Sequence, residues 1–238
     1  MKRITFTALA TLAALAIQPA FAATTWDFTT GGTYIAGSGG SIDFGDSIKF
    51  SSGGVTVTAS AWSNTAGSAS VTDNTTALQT AYLGQYSGGL GVTNQDGSTG
   101  DANEGVSPEH AIDNDQRYDS VLLSFSQKTD LSSLSVGWWQ TDADVSLLAY
   151  TGTGTPVLAG QSYSQLIADG WTVIGNYADV GAAGSAAVST SVSSSYWLVG
   201  AYNPLWGGSL SSGNDYFKIA TATATVTSSS SSSSSSGG

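Results

Sequence analysis

Cysteine is absent from the 238 residues, histidine occurs once, and lysine and arginine together number six against 17 aspartates and glutamates. Each shortage closes a class of function. Without cysteine there is no thiol nucleophile and no disulfide, so a fold of this size must be held by its hydrophobic core. One histidine, His110, leaves a single candidate for a histidine base, and neither a Gly-x-Ser-x-Gly elbow nor a His-Glu-x-x-His pair accompanies it. The shortage of basic residues means that the chain repels nucleic acid and anionic lipid and attracts cations instead. Two further absences concern architecture. No internal period of fixed length is present, which argues against solenoids and propellers, and strands do not alternate with helices as a parallel sheet requires.

What is present begins with the two ends. Lys2 and Arg3 precede an apolar stretch over 4–17, followed by Pro19 and the small-residue pattern Ala20-Phe21-Ala22. This reads as a secretory signal peptide over 1–22; the stretch is shorter than the roughly 20 residues a membrane-spanning helix needs. Its removal takes two of the six basic residues and no acid, leaving four against 17 and a formal charge of −13. No later apolar run escapes interruption by Thr, Ser, Gly or Asp, so no membrane span is expected in the mature chain. At the other end, unbroken serine over 228–236 precedes Gly237 and Gly238. Such a tract buries too little apolar surface to offset the entropy of ordering, so 228–238 reads as a flexible linker, and a linker of this kind leads to a further segment.

Between the ends, seven Trp, ten Tyr and seven Phe demand a core. Residues 23–227 are expected to form a single all-β domain, a two-sheet sandwich or jelly roll with at most one short helix, at 163–168. Val55, Val57, Ala59 and Ala61 alternate strictly with polar neighbours, which is a half-buried strand. Further strands are expected at 78–86, 90–93, 121–125, 131–138, 145–150, 171–177, 188–192, 196–202 and 216–226. A hairpin is expected around Gly45 and Asp46, preceded by a glycine-rich loop over 31–40.

Three groups of residues offer chemistry. Residues 94–119 hold seven of the 17 acids. Asp96, Asp101, Glu104, Asp113, Asn114 and Asp119 supply the oxygen ligands that a hard cation such as calcium accepts in irregular geometry; a solvated polar loop is the alternative, with Asp113 and Asn114 bracing backbone. Trp138 and Trp139, adjacent and therefore on opposite faces of a strand, and Trp206 in a loop are candidate platforms for sugar rings. Asp142 and Asp144, two apart, would share a face and are the candidates for paired carboxylates in glycoside hydrolysis; the alternative is that they merely separate two strands.

Several phrases taken in order carry a resemblance: Tyr86-Ser87-Gly88-Gly89-Leu90-Gly91-Val92, Ser107-Pro108-Glu109-His110-Ala111-Ile112-Asp113-Asn114, Tyr118-Asp119-Ser120-Val121-Leu122-Leu123-Ser124-Phe125, Ser195-Tyr196-Trp197-Leu198-Val199-Gly200-Ala201-Tyr202-Asn203, and Gly213-Asn214-Asp215-Tyr216-Phe217-Lys218-Ile219. Over about 55–219 the chain resembles the exosortase-dependent surface proteins of the PEP-CTERM class. The resemblance implies an exported bacterial protein of the cell surface or extracellular matrix, handled by a sorting protease that acts on a C-terminal tail. No Pro-Glu-Pro signal follows Ile219, and the serine run with its two glycines resembles the spacer before a Gly-Gly sorting tail. The family supplies no catalytic residues. The function expected is therefore a non-enzymatic surface or matrix protein that meets extracellular polysaccharide and carries a structural calcium. The competing readings are a carbohydrate-active enzyme and a self-assembling coat protein.

Overall fold

The computed structural model describes residues 22–36, 43–66, 73–95 and 110–227. Strands β1 (Ala23–Asp27), β2 (Thr33–Ile35), β3 (Ser47–Ser52), β4 (Val55–Ala66), β5 (Ala77–Tyr86) and β6 (Gly89–Thr93) precede the acidic stretch. After it come β7 (Ile112–Asp113), β8 (Asp119–Thr141), β9 (Val145–Tyr150), β10 (Trp171–Tyr177), β11 (Ser185–Ala187), β12 (Ser194–Ala201) and β13 (Asp215–Val226). The fold is all-β. Among the described residues one α-helical turn, α1, covers Val180–Ala183, and 163–168 holds a 3-10 turn over Tyr163–Gln165.

The organising element is β8. At 23 residues it is long enough to serve two layers. Its first part, Asp119 to Phe125, pairs with β4 on one side, and Ser120 to Ser124 pairs with β12 on the other. Its second part, Thr129 to Thr141, pairs with β13, while Ser133 to Ser135 also meets β11. Hydrogen-bonded pairings run from β4 to β5, β6, β13, β8 and back to β4, so the sheet closes on itself. From β8, strands β12, β9 and β10 extend as an antiparallel wing. The two layers are thus faces of one wrapped sheet.

Alternation decides what goes inside. Val55, Val57, Ala59 and Ala61 are at most 2% exposed and join Val121, Leu123 and Phe125 in the main core, which Trp26 caps edge-on against Phe125 at 4.9 Å. Each large aliphatic side chain removed from water there contributes about 1.5–3 kcal/mol. In β9 and most of β12 both faces are buried. Leu147, Ala149, Trp197 and Val199 point into the main core, while Leu148 and Leu198 point outward into a second cluster with Leu158, Tyr163, Leu166 and Trp171. The connection after β9 folds back over that outer face, which explains the near-continuous apolar runs of β9 and β12.

Three expectations are corrected. The glycine-rich stretch at 31–40 contains β2, which pairs with β3. The strands expected at 121–125 and 131–138 are one strand, continuous through the polar residues between them. The strand expected at 188–192 does not form; β11 lies just before it. Residues 1–21 and 228–238, with the expected signal peptide and linker, lie outside the described residues.

Candidate functional site

Where β8 ends, the chain turns within three residues. The Asp142 amide donates to the Gln140 carbonyl at 2.7 Å, with Thr141 between them at φ 63°. This turn takes Asp142 off the β8 ladder and sets it beside the start of β13, where the Tyr216 amide donates to its carbonyl. Asp144 follows immediately before β9. Asp179 arrives from a different connection, at φ 51° just ahead of α1. Carboxylate oxygens of Asp142, Asp144 and Asp179 lie within 4.8 Å of one another. Asp142 is half-buried, Asp144 buried and Asp179 exposed, so the group is a corner open on one side.

Backbone donors hold the corner in place. The Asp179 amide donates to Asp144 Oδ1 at 2.7 Å, the Ala143 amide to Asp142 Oδ1 at 2.8 Å, and Ser211 Oγ to Asp142 Oδ2 at 2.7 Å. Behind it stands a fourth carboxylate, Asp215, which is fully buried and accepts the Asp144 amide at 2.7 Å. Asn114 completes the support: its amide nitrogen donates to Asp215 Oδ2 and to the Tyr202 carbonyl, and its oxygen accepts from Gly213 and Asp215 amides.

The two buried acids of the group, Asp144 and Asp215, are shifted upward. Burial pushes the Asp215 carboxyl up to about 7; the Asp144 amide opposes that shift, and the Asp144 and Asp142 charges reinforce it. Burial also raises Asp144, opposed by the Asp179 amide and reinforced by the charges of Asp142 and Asp179. Two oxygens at the corner lack donors. Asp144 is 3% exposed, and no donor reaches its Oδ2 among the described residues. Asn214 Oδ1 is shielded from solvent with no hydrogen-bond partner, while the same amide places Nδ2 3.4 Å from Asp142 Oδ2. Carboxylate and amide oxygens gathered without enough donors are the ligand set a hard cation takes.

The acidic segment itself is distributed differently. Asp96, Asp101 and Glu104 lie outside the described residues. Asp113 accepts the Asp115 amide in an Asx-type turn, and Asp119 sits buried in β8, accepting Asn94 Nδ2 at 3.4 Å. Neither joins the three-carboxylate group; Asn114 reaches it through Asp215. His110 stacks on Tyr86 and shares a hydrogen bond with Thr93 Oγ1 at 2.7 Å.

The three tryptophans also divide. Lys218 Nζ sits over the half-buried Trp138 ring, 4.0 Å from its centroid. Trp206 meets the Tyr163 ring edge-on at 5.4 Å. Trp139 is 43% exposed, with one part of its ring against Gly181.

At the opposite end of the β8–β13 ladder is a cleft of about 620 Å³ that contains none of these tryptophans. Tyr150, at the end of β9, and Tyr196, in β12, form its aromatic wall, their rings edge to face at 6.1 Å. The Thr and Gly residues of 151–155, together with Ser193, Ser194 and Ser195, supply hydroxyls and backbone, and Lys128 stands at the rim. Tyr150 Oη donates to the Thr153 carbonyl at 3.1 Å, and Tyr196 Oη lies 3.3 Å from Thr155 Oγ1, so the loop holds both phenols. The sequence carried one trace of this cleft, a Thr/Gly alternation directly after a strand ending in tyrosine.

The chain matches no protein-family model, no curated protein and no solved structure.

Proposed function

We propose that this chain is a non-enzymatic, exported protein of the bacterial surface or extracellular matrix, related to the exosortase-dependent proteins it resembles, and that its domain binds extracellular polysaccharide. The observation that carries the proposal is the cleft at Tyr150 and Tyr196. Two aromatic faces beside a wall of hydroxyls suit a pyranose ring, which offers one apolar face and a rim of donors and acceptors. A binding role rather than glycoside hydrolysis is supported by Asp144, one of the paired acids, being 3% exposed and committed to the Asp179 amide. The test is retardation of the full chain in gels containing purified bacterial exopolysaccharides. Binding that is lost in Tyr196→Ala supports the proposal; unretarded migration across a broad polysaccharide panel overturns it.

A structural calcium belongs to the same proposal, moved from the acidic segment to Asp142, Asp144 and Asp179. The three converging carboxylates and the unpartnered Asn214 Oδ1 beside them support it. At a hundredfold excess over Kd, binding to the folded state alone adds about 2.7 kcal/mol. Calcium should therefore raise the melting temperature, chelator should reverse the rise, and Asp179→Asn should abolish it. An unchanged melting curve with calcium would make the corner a solvated acidic turn.

A further inference from the structure

The charge of the cleft runs against that of the chain. Beyond residue 22 there are four basic residues, Lys49, Arg117, Lys128 and Lys218. Arg117 is fully buried and Lys218 is 8% exposed over two aromatic rings, which leaves Lys49 on β3 and Lys128 as exposed cations. Of these, Lys128 lines the cleft, and among the described residues no aspartate or glutamate does. At physiological ionic strength charges are screened over about 8 Å, so a ligand in the cleft responds to Lys128 before it responds to the excess of acids elsewhere.

The lysine is also held in register. Its carbonyl accepts the Thr227 amide at 2.9 Å and Thr227 Oγ1 at 3.1 Å, and the same hydroxyl lies 2.9 Å from Ser193 Oγ across the cleft rim. The backbone is therefore pinned at the Lys128 carbonyl, while the exposed side chain lines the same cleft as the two tyrosines.

We infer that the Tyr150–Tyr196 cleft selects an acidic saccharide unit, a pyranose ring bearing a carboxylate, with Lys128 pairing the carboxylate and the tyrosines meeting the ring. The inference rests on the polysaccharide reading above and adds the class of sugar. It is tested by calorimetric titration of the full chain with oligogalacturonate and, in parallel, with neutral malto-oligosaccharide of equal length. Tighter binding of the uronate is expected, with Lys128→Ala weakening it about tenfold, the loss of one charge-assisted hydrogen bond. Lys128→Glu should abolish it, and both lysine variants should weaken the uronate far more than the neutral sugar. Equal binding of the two sugars, indifferent to Lys128, overturns the acidic preference while leaving the polysaccharide reading in place. Binding of neither sugar overturns the acidic preference, and the polysaccharide panel then decides the broader reading by itself. Because Lys128 is an exposed side chain, its variants keep the fold, and melting curves matched to the parent chain verify this.

Discussion

The backbone amide of Asp144 donates to the carboxylate of Asp215, 71 residues further along the chain, at 2.7 Å. One buried acid therefore holds another in place. An acid whose folded pKa stands above its unfolded value of about 3.9 favours the fold while it is protonated. That contribution is complete below about pH 4 and is lost as pH rises through about 7 for Asp215. Asp144 is raised in the same direction. Melting temperature should fall between about pH 4 and pH 7 and level off above that, but the acidic chain as a whole adds its own slope. The decisive readout is Asp142→Asn, which removes a charge facing both groups while its amide keeps an oxygen for Ala143. Its slope should be shallower than the parent's; identical slopes would mean that the corner does not titrate as a unit.

Asn114 satisfies four partners from a position that is 1% exposed. Asn114→Ala strands the Tyr202 carbonyl and the Asp215 amide in a buried place, and each orphaned group costs about 1–3 kcal/mol. A loss of about 3 kcal/mol in urea unfolding is expected, together with loss of any calcium-induced melting shift. A loss below about 1 kcal/mol would show that water replaces the side chain.

Gly91 lets β6 approach the turn before β7. A Cβ there would lie 1.8 Å from the His110 carbonyl oxygen, so the backbone must move. Gly91→Ala should cost about 3 kcal/mol or more through this overpacking. Gly154, at φ 77° with open space around it, makes the contrast: Gly154→Ala meets only the left-handed backbone penalty of about 1–2 kcal/mol. Equal losses in the two variants would contradict the close approach at β6.

Lys218 distinguishes the adjacent tryptophans. Its Nζ lies 4.0 Å from the Trp138 centroid and 5.1 Å from that of Tyr86. Trp138→Leu forfeits a partly desolvated cation–π contact and should cost about 1–2 kcal/mol. Trp139, with 43% of its surface in water, should cost less on the same replacement. Chemical denaturation of the two variants side by side decides the order.

The parts of the fold legible in the sequence were those where one strand declares its own faces. Val55 to Ala61 alternates because β4 has one buried side, and that pattern survives without knowing any partner. The continuity of β8 was hidden because Ser126, Gln127 and Lys128 look like a turn; they are exposed residues on a strand that is changing layers. β2 was hidden because three residues among glycines give no periodicity. At the candidate corner, Asp142 and Asp144 lie between β8 and β9 and approach each other across a turn, not on one strand face, whereas Asp179 and Asp215 come from distant segments and depend on strand order. The dense acids of 94–119 drew attention by local composition, yet among the described residues the carboxylates that meet do so through topology. Tyr150 and Tyr196 likewise become a cleft only when β9 and β12 pair.

The β8–β13 ladder runs from Thr141 opposite Asp215 to Thr129 opposite Val226. At about 3.3 Å per residue this separates the acidic corner from the cleft by roughly 40 Å. Residue 227 leaves the ladder at the cleft end, bonded to Lys128. The cleft and the point where residue 227 leaves the ladder therefore share one pole of the β8–β13 ladder, and the carboxylate cluster lies at the other.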